Sequence, residues 1–140
     1  MVLRPEALRE RLLRLEEVVS RLEEMSRSVV SASFKDEWAA ERGLQLGAEI
    51  ILDIGNLILT AQFGVSAEDY EDILTQLERW GVIDESLRER LKGLGGFRNI
   101  LVHDYLRLDF ARVRNFLQRA PADFSEFGQA VSHWLAANEF

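Results

Sequence analysis

Leu8, Leu12, Leu15, Val19, Leu22, Met25 and Val29 recur at intervals of three and four residues from Pro5 onward. Such spacing lays one apolar stripe along a helix of about seven turns, with Arg and Glu covering the other faces. The stripe stops too soon for a coiled coil and predicts core packing. Ser31-Ala32-Ser33 break the pattern, and a second helix is predicted from near Asp36 to Phe63, with Gly64 as its stop. Its second half, Leu44 to Ala61, is apolar on nearly every face, as a central buried helix should be. Gly43, Gly47 and Gly55 lower its helix propensity and point to close approach by a neighbour.

The later segments are shorter. Ser66-Ala67-Glu68-Asp69 has the form of a capping box opening a third helix, which ends at Trp80-Gly81. Asp84 caps a fourth helix carrying Leu87, Leu91 and Leu94, loosened by Gly93, Gly95 and Gly96 before Phe97. Asp109 caps a short helix, and Pro121 starts a last one through Trp134 and Leu135. No stretch alternates with period two, and no Asn-Gly or Asp-Gly hairpin occurs. The expected architecture is all-α: an up-and-down-type bundle of five to six helices, one domain over residues 1–140. The scattered aromatics, among them Phe34, Trp38, Tyr70, Trp80 and Phe116, are at spacings that suit core packing better than base stacking.

Composition narrows the chemistry. The 140 residues include no cysteine, which excludes disulfides, thiolate metal ligation and cysteine nucleophiles. Two histidines make a His-rich metal site improbable on chemical grounds, and no metal or other cofactor is expected. The N-terminal stretch alternates charge with leucine and lacks the apolar core of a signal sequence. Apolar runs interrupted by Asp53, Gly55 and Asn56 argue against a membrane span, so a cytoplasmic protein is expected. The net charge of −7 argues against a nucleic-acid coat protein. No nucleophile elbow or phosphate-cradling glycine loop is present.

Two polar clusters remain. In Arg98-Asn99-Ile100-Leu101-Val102-His103-Asp104-Tyr105, Asn99 and His103 stand one helical turn apart, and Arg98 lies about 140° from His103. A guanidinium, an amide and an imidazole suffice in principle to cleave RNA without a metal. One group takes the 2′-OH proton, another protonates the leaving oxygen, and Arg steadies charge on phosphorus. Spacing alone also fits a structural His that caps a helix or bonds a carboxylate. The second cluster is Glu49, Asp53 and Asn56 on the apolar helix. Three readings apply to it. A carboxylate metal site would require a second helix with Glu-x-x-His, which is absent. Asp53 could face the cleft and hold Arg98 or His103, or the carboxylates could form a structural ion pair with Arg42 or another bundle residue.

The R-x4-H-x-Y form of 98–105 resembles the HEPN superfamily, and specifically the HepT toxin family. So do ERGLQLGAEIILDIGN at 41–56, the Ser66–Tyr70 opening, the Leu77–Ile83 segment and the Asp109 restart. The resemblance covers nearly the whole chain. It implies a HEPN-like bundle that forms a homodimer, with two R-x4-H motifs meeting across the interface in an RNA-cleaving site. By position, Arg98 would bind phosphate, His103 would transfer protons, and Asn99 would orient one or the other. Tyr105 matches the tyrosine that a minimal nucleotidyltransferase antitoxin modifies with AMP in a type VII toxin–antitoxin pair. The implied substrate is RNA such as tRNA or mRNA. A non-catalytic helical module presenting RNA to that nucleotidyltransferase is the rival reading.

The charge count then looks different. Eight Lys/Arg against three Asp/Glu put residues 88–119 at +5, leaving the rest at −12. An acidic scaffold thus carries a basic segment that contains the motif, and local charge can guide RNA despite the global sign.

Overall fold

A computed structural model of the chain describes residues 2–28, 33–103, 106 and 109–138. Among them lie six helices: α1 (Pro5–Ser28), α2 (Phe34–Phe63), α3 (Tyr70–Arg79), α4 (Glu85–Leu91), α5 (Leu94–His103) and α6 (Phe110–Ala137). The described residues contain no strand, and the all-α expectation holds.

The three long helices form the core. The α1 stripe buries Leu8, Leu15, Val19 and Leu22 as its period requires, while Val29 lies outside the described residues. The end of α1 meets the start of α2 where Leu22 lies against Gly43, and Gln118 of α6 donates to the Ser26 carbonyl. Helix α1 therefore runs antiparallel to both. Helices α2 and α6 run parallel, with Gly47 under Phe124 and Phe63 beside Trp134. A Cβ at residue 47 would stand 2.5 Å from the Phe124 ring, so the close approach predicted for these glycines is real. Among the described residues α2 alone is long and apolar enough to cross a membrane, but 56% of that apolar stretch is buried inside the bundle.

Three boundaries differ from expectation. Ser33, not Asp36, begins α2: its hydroxyl accepts from Asp36 N at 3.3 Å. Asp69 rather than Ser66 caps α3, accepting from Asp72 N at 2.8 Å, while Asp72 accepts from Glu68 N at 2.9 Å. The reciprocal box is thus displaced by three residues. The expected fourth helix divides at Gly93, whose φ of +87° ends α4, so that Leu94 opens α5.

Pro121 brings the largest correction. Instead of starting a separate helix, it lies buried within α6, which runs unbroken from its Asp109 cap. A proline in a helix interior costs about 3 kcal/mol. The stripe Val113, Leu117, Phe124, Phe127 and Val131 is completely buried on that one helix. At about 1.5–3 kcal/mol per large apolar side chain, tertiary burial outweighs the local penalty.

Not all aromatics are core. Phe34 and Trp38 meet edge to face at 5.4 Å yet are largely exposed, and Trp80 stacks on Phe63 with one face in solvent.

Candidate active site

The two polar clusters share one place. A cleft of about 730 Å³ opens between α2, α3 and α5, and Glu49, Asp53, Asn56, Tyr70, Arg98 and Asn99 all line it. Helix α2 supplies the acidic wall because its apolar faces are consumed by α1, α3, α5 and α6, leaving Asp53 and Asn56 exposed and Glu49 half-buried.

Helix α5 is set in place from its first turn. The Glu71 carboxylate of α3 accepts from Gly93 N–H, fixing where α5 begins. Gly95 then lets α3 come close, since a Cβ there would stand 2.5 Å from Tyr70 Cβ. On the other side Phe97 is buried and stacks on Phe116 of α6 at 4.3 Å. With Phe97 turned toward α6, Arg98 is rotated about 100° toward α2 and α3.

Arg98 is the best-enclosed cation of the cleft, with 19% of its side chain accessible. Its Nη2 stands 3.4 Å from Glu49 Oε1, its Nη1 donates to Asn99 Oδ1 at 3.4 Å, and its Cζ lies 5.3 Å from the centre of the Tyr70 ring. Gln45 donates to the same Glu49 oxygen at 3.2 Å. Both hydrogen bonds of the guanidinium are long and neither is bidentate, while a cation over a phenol ring is stabilised by about 0.5–2 kcal/mol. The head group is therefore oriented but remains available to a second anion.

Of the two readings open for the carboxylates, Asp53 takes the structural ion pair, with another bundle residue in place of Arg42, although it lines the cleft. Glu49 holds Arg98, whereas Asp53 pairs with Arg11 of α1 at 2.6 Å and holds neither Arg98 nor His103. That pair ties α1 to α2 at the cleft's rim, and Arg42 is not its partner. His103 is exposed on the last turn of α5, outside the residues that line the cleft. Tyr105 and Asp104 lie outside the described residues. No group of three His, Cys, Asp or Glu side chains poised for a metal ion occurs among the described residues.

Tyr70 and Arg11 are not legible as site residues in the sequence. Tyr70 reads as one more aromatic at core spacing; its place following the Asp69 cap at the start of α3, where a side chain leans toward the helix N-terminus, is the signal available.

These placements can be set beside known proteins. The family profile described as Ribonuclease HepT-like matches residues 9–131. The chain belongs to the HepT-like family. Two curated relatives are each 34% identical: a putative RNase of Archaeoglobus fulgidus over 87 residues, and the mRNA nuclease HepT of Shewanella oneidensis over 84. The matched segments cover 62% and 60% of this chain, but only 65% and 63% of those relatives. The solved tri-AMPylated HEPN toxin of Shewanella oneidensis in complex with MNT antitoxin superposes with a TM-score of 0.81. It is 24% identical and covers 90% of this chain and 96% of its own, so the HepT-like bundle is common to both.

Proposed function

We propose that this chain is a HepT-like toxin of a type VII toxin–antitoxin pair: a metal-independent endoribonuclease of one cytoplasmic domain that acts as a homodimer. The observation that carries the reading is Arg98 and Asn99 in the α2–α3–α5 cleft, with His103 one turn further along α5. In one chain His103 stands apart from Arg98, so a single copy offers phosphate binding on one side and a proton-transfer group on the other. Two copies of α5 brought together supply both histidines to one phosphodiester.

In that site one imidazole removes the proton of the 2′-OH, whose oxygen attacks phosphorus. The P–O5′ bond breaks, the second imidazolium protonates the departing 5′ oxygen, and a 2′,3′-cyclic phosphate and a 5′-OH remain. Arg98, steered by Glu49 and Tyr70, neutralises the extra charge on the non-bridging oxygens, and Asn99 orients the phosphate. The chemistry needs only groups that the chain carries.

A minimal nucleotidyltransferase partner would silence the toxin by adding AMP to Tyr105. The phosphodiester so formed brings negative charge to the segment that ends the motif, where it competes with RNA for Arg98. The tri-AMPylated Shewanella oneidensis toxin supports this reading by its likeness of fold.

The test is cleavage of a single-stranded oligoribonucleotide in the presence of a chelator. The wild-type chain is expected to give cyclic-phosphate ends, with a loss of about 10²–10⁴-fold in His103→Ala. Co-expression with the nucleotidyltransferase should add AMP to the wild type and not to Tyr105→Phe, as read by peptide mass. Absence of cleavage by wild type, or equal cleavage by His103→Ala, would refute the catalytic role and favour the presenting module.

A further inference from the structure

A second cationic site lies across α5 from the cleft. Lys92, Arg112, Asn115 and Arg119 ring a groove of about 190 Å³, floored by Phe97 and Phe116, where the start of α5 meets α6. Arg112, Asn115 and Arg119 fall at i, i+3 and i+7 of α6, which places them on one face of that helix. All three and Lys92 are exposed.

These cations line one groove and have no acidic partner among the described residues. Two other arginines of the basic segment are consumed by the fold, Arg88 binding Glu78 and Glu89 and Arg90 binding Asp123 and Glu126, while Arg114 rests on the Phe110 ring. Among the described residues no carboxylate pairs with Lys92, Arg112 or Arg119, and none lines the groove. The nearest helix-end donor, Gly93 N–H, is already taken by Glu71, so the side chains must do any binding. Three like charges around one groove repel one another, a cost that an anion joining them relieves.

The groove is also preorganised. The Arg119 guanidinium lies 5.0 Å over Phe116, which stacks on Phe97, so one donor fork is held by an aromatic stack. Phe97 precedes Arg98, and the groove and the cleft are therefore two sides of the same first turns of α5. We infer that Lys92, Arg112 and Arg119 form a phosphate subsite that holds the RNA backbone outside the cleaved bond. The choice of RNA rests on the ribonuclease reading; the anion site itself does not.

The experiment measures binding of a fluorescent single-stranded oligoribonucleotide to the full-length His103→Ala protein from 0.05 to about 0.3 M salt. Removing one phosphate-binding cation should flatten the log–log salt slope by about 0.7 on a single strand. For Arg112→Gln/Arg119→Gln that is a slope shallower by about 1.4 and binding weaker by roughly ten- to thirtyfold at 0.1 M salt. Lys92→Gln alone, which disturbs no stacked ring, should show about half of that slope change. Arg4→Gln/Arg79→Gln, removing equal charge from other exposed positions, should leave the slope near wild type. A slope unchanged in the groove variants overturns the subsite. So does an unchanged slope with weakened binding of the nucleotidyltransferase, which would make the groove a protein-binding surface. Cleavage is read separately: an inactive wild type with a groove-dependent slope sinks the ribonuclease reading and leaves the subsite standing.

Discussion

Two arginines of the basic segment, Arg90 and Arg98, both face carboxylates across a helix–helix boundary, and they do opposite things. Arg90 binds Glu126 through both terminal nitrogens and reaches Asp123 at 3.1 Å, locking α4 to α6. The fork closes on Glu126 through both terminal nitrogens, and hydrogen bonding to Glu126 raises its already high pKa. Arg98 meets Glu49 once, at 3.4 Å, and rests on an aromatic ring. The same residue type is locked where its fork closes on a carboxylate and left open to a second anion where it is merely aligned, as the role proposed for Arg98 requires.

That contrast can be broken most sharply by exchanging the two readouts. Arg98→Gln should lower RNA cleavage by at least about a hundredfold while the melting temperature stays near wild type. Arg90→Gln should do the reverse, lowering the melting temperature by several degrees with cleavage at moderate temperature nearly intact. Asp123, only 8% exposed, then loses its donor. If both variants lose both properties in parallel, the division between them fails.

Glycines extend the comparison. Gly47→Ala forces a Cβ into the Phe124 ring in the packed core and should destabilise the protein by about 1–3 kcal/mol in denaturant unfolding. Gly95→Ala pushes against Tyr70, at the seam that aims Arg98, and its larger effect should fall on cleavage.

Smaller effects sharpen the difference. Glu49→Gln removes a competitor for Arg98, so an oligoribonucleotide should bind about two- to fivefold more tightly, the range expected of a partly exposed ion pair. A tenfold loss of binding would instead make Glu49 indispensable for aiming the guanidinium. The smallest is a pH effect. Hydrogen bonding to Arg90 lowers the Glu126 pKa below its usual 4.5. The stability it contributes is present above the unfolded-state pKa and lost as pH falls through the lower folded value. Acid unfolding below about pH 4.5 should therefore be less steep in Glu126→Gln, and indistinguishable profiles would remove Glu126 from the account.

Much of the bundle is legible in the chain because its signals are local. The α1 stripe, the Asp84 and Asp109 caps and the Gly64 stop each act within one or two turns, where sequence neighbours are spatial neighbours. Pro121 misleads for the same reason: its local preference is to begin a helix, while the burial that carries α6 through it comes from α1 and α2. The site shows a similar division. Arg98 and Asn99 share the cleft because they are neighbours in the chain, while His103 of the same motif does not line it, and the choice of Glu49 over Asp53 depends on how α5 crosses α2. Tyr70 and Arg11 arrive from helices far away in sequence. The +5 of residues 88–119 is likewise an average: ion pairing removes Arg88 and Arg90, and α5 divides Arg98 from Lys92, Arg112 and Arg119.

The proline inside α6 has a consequence for that helix's own hydrogen bonding. Residue 121 has no amide hydrogen, so the Leu117 carbonyl lacks its helical donor and the hydrogen-bond ladder carries a seam there. Beyond it, Phe124, Phe127 and Val131 are anchored in the core. The missing bond is offset by packing on both sides of the seam, since Val113 and Leu117 before it are as fully buried as Phe124 and Phe127 beyond it.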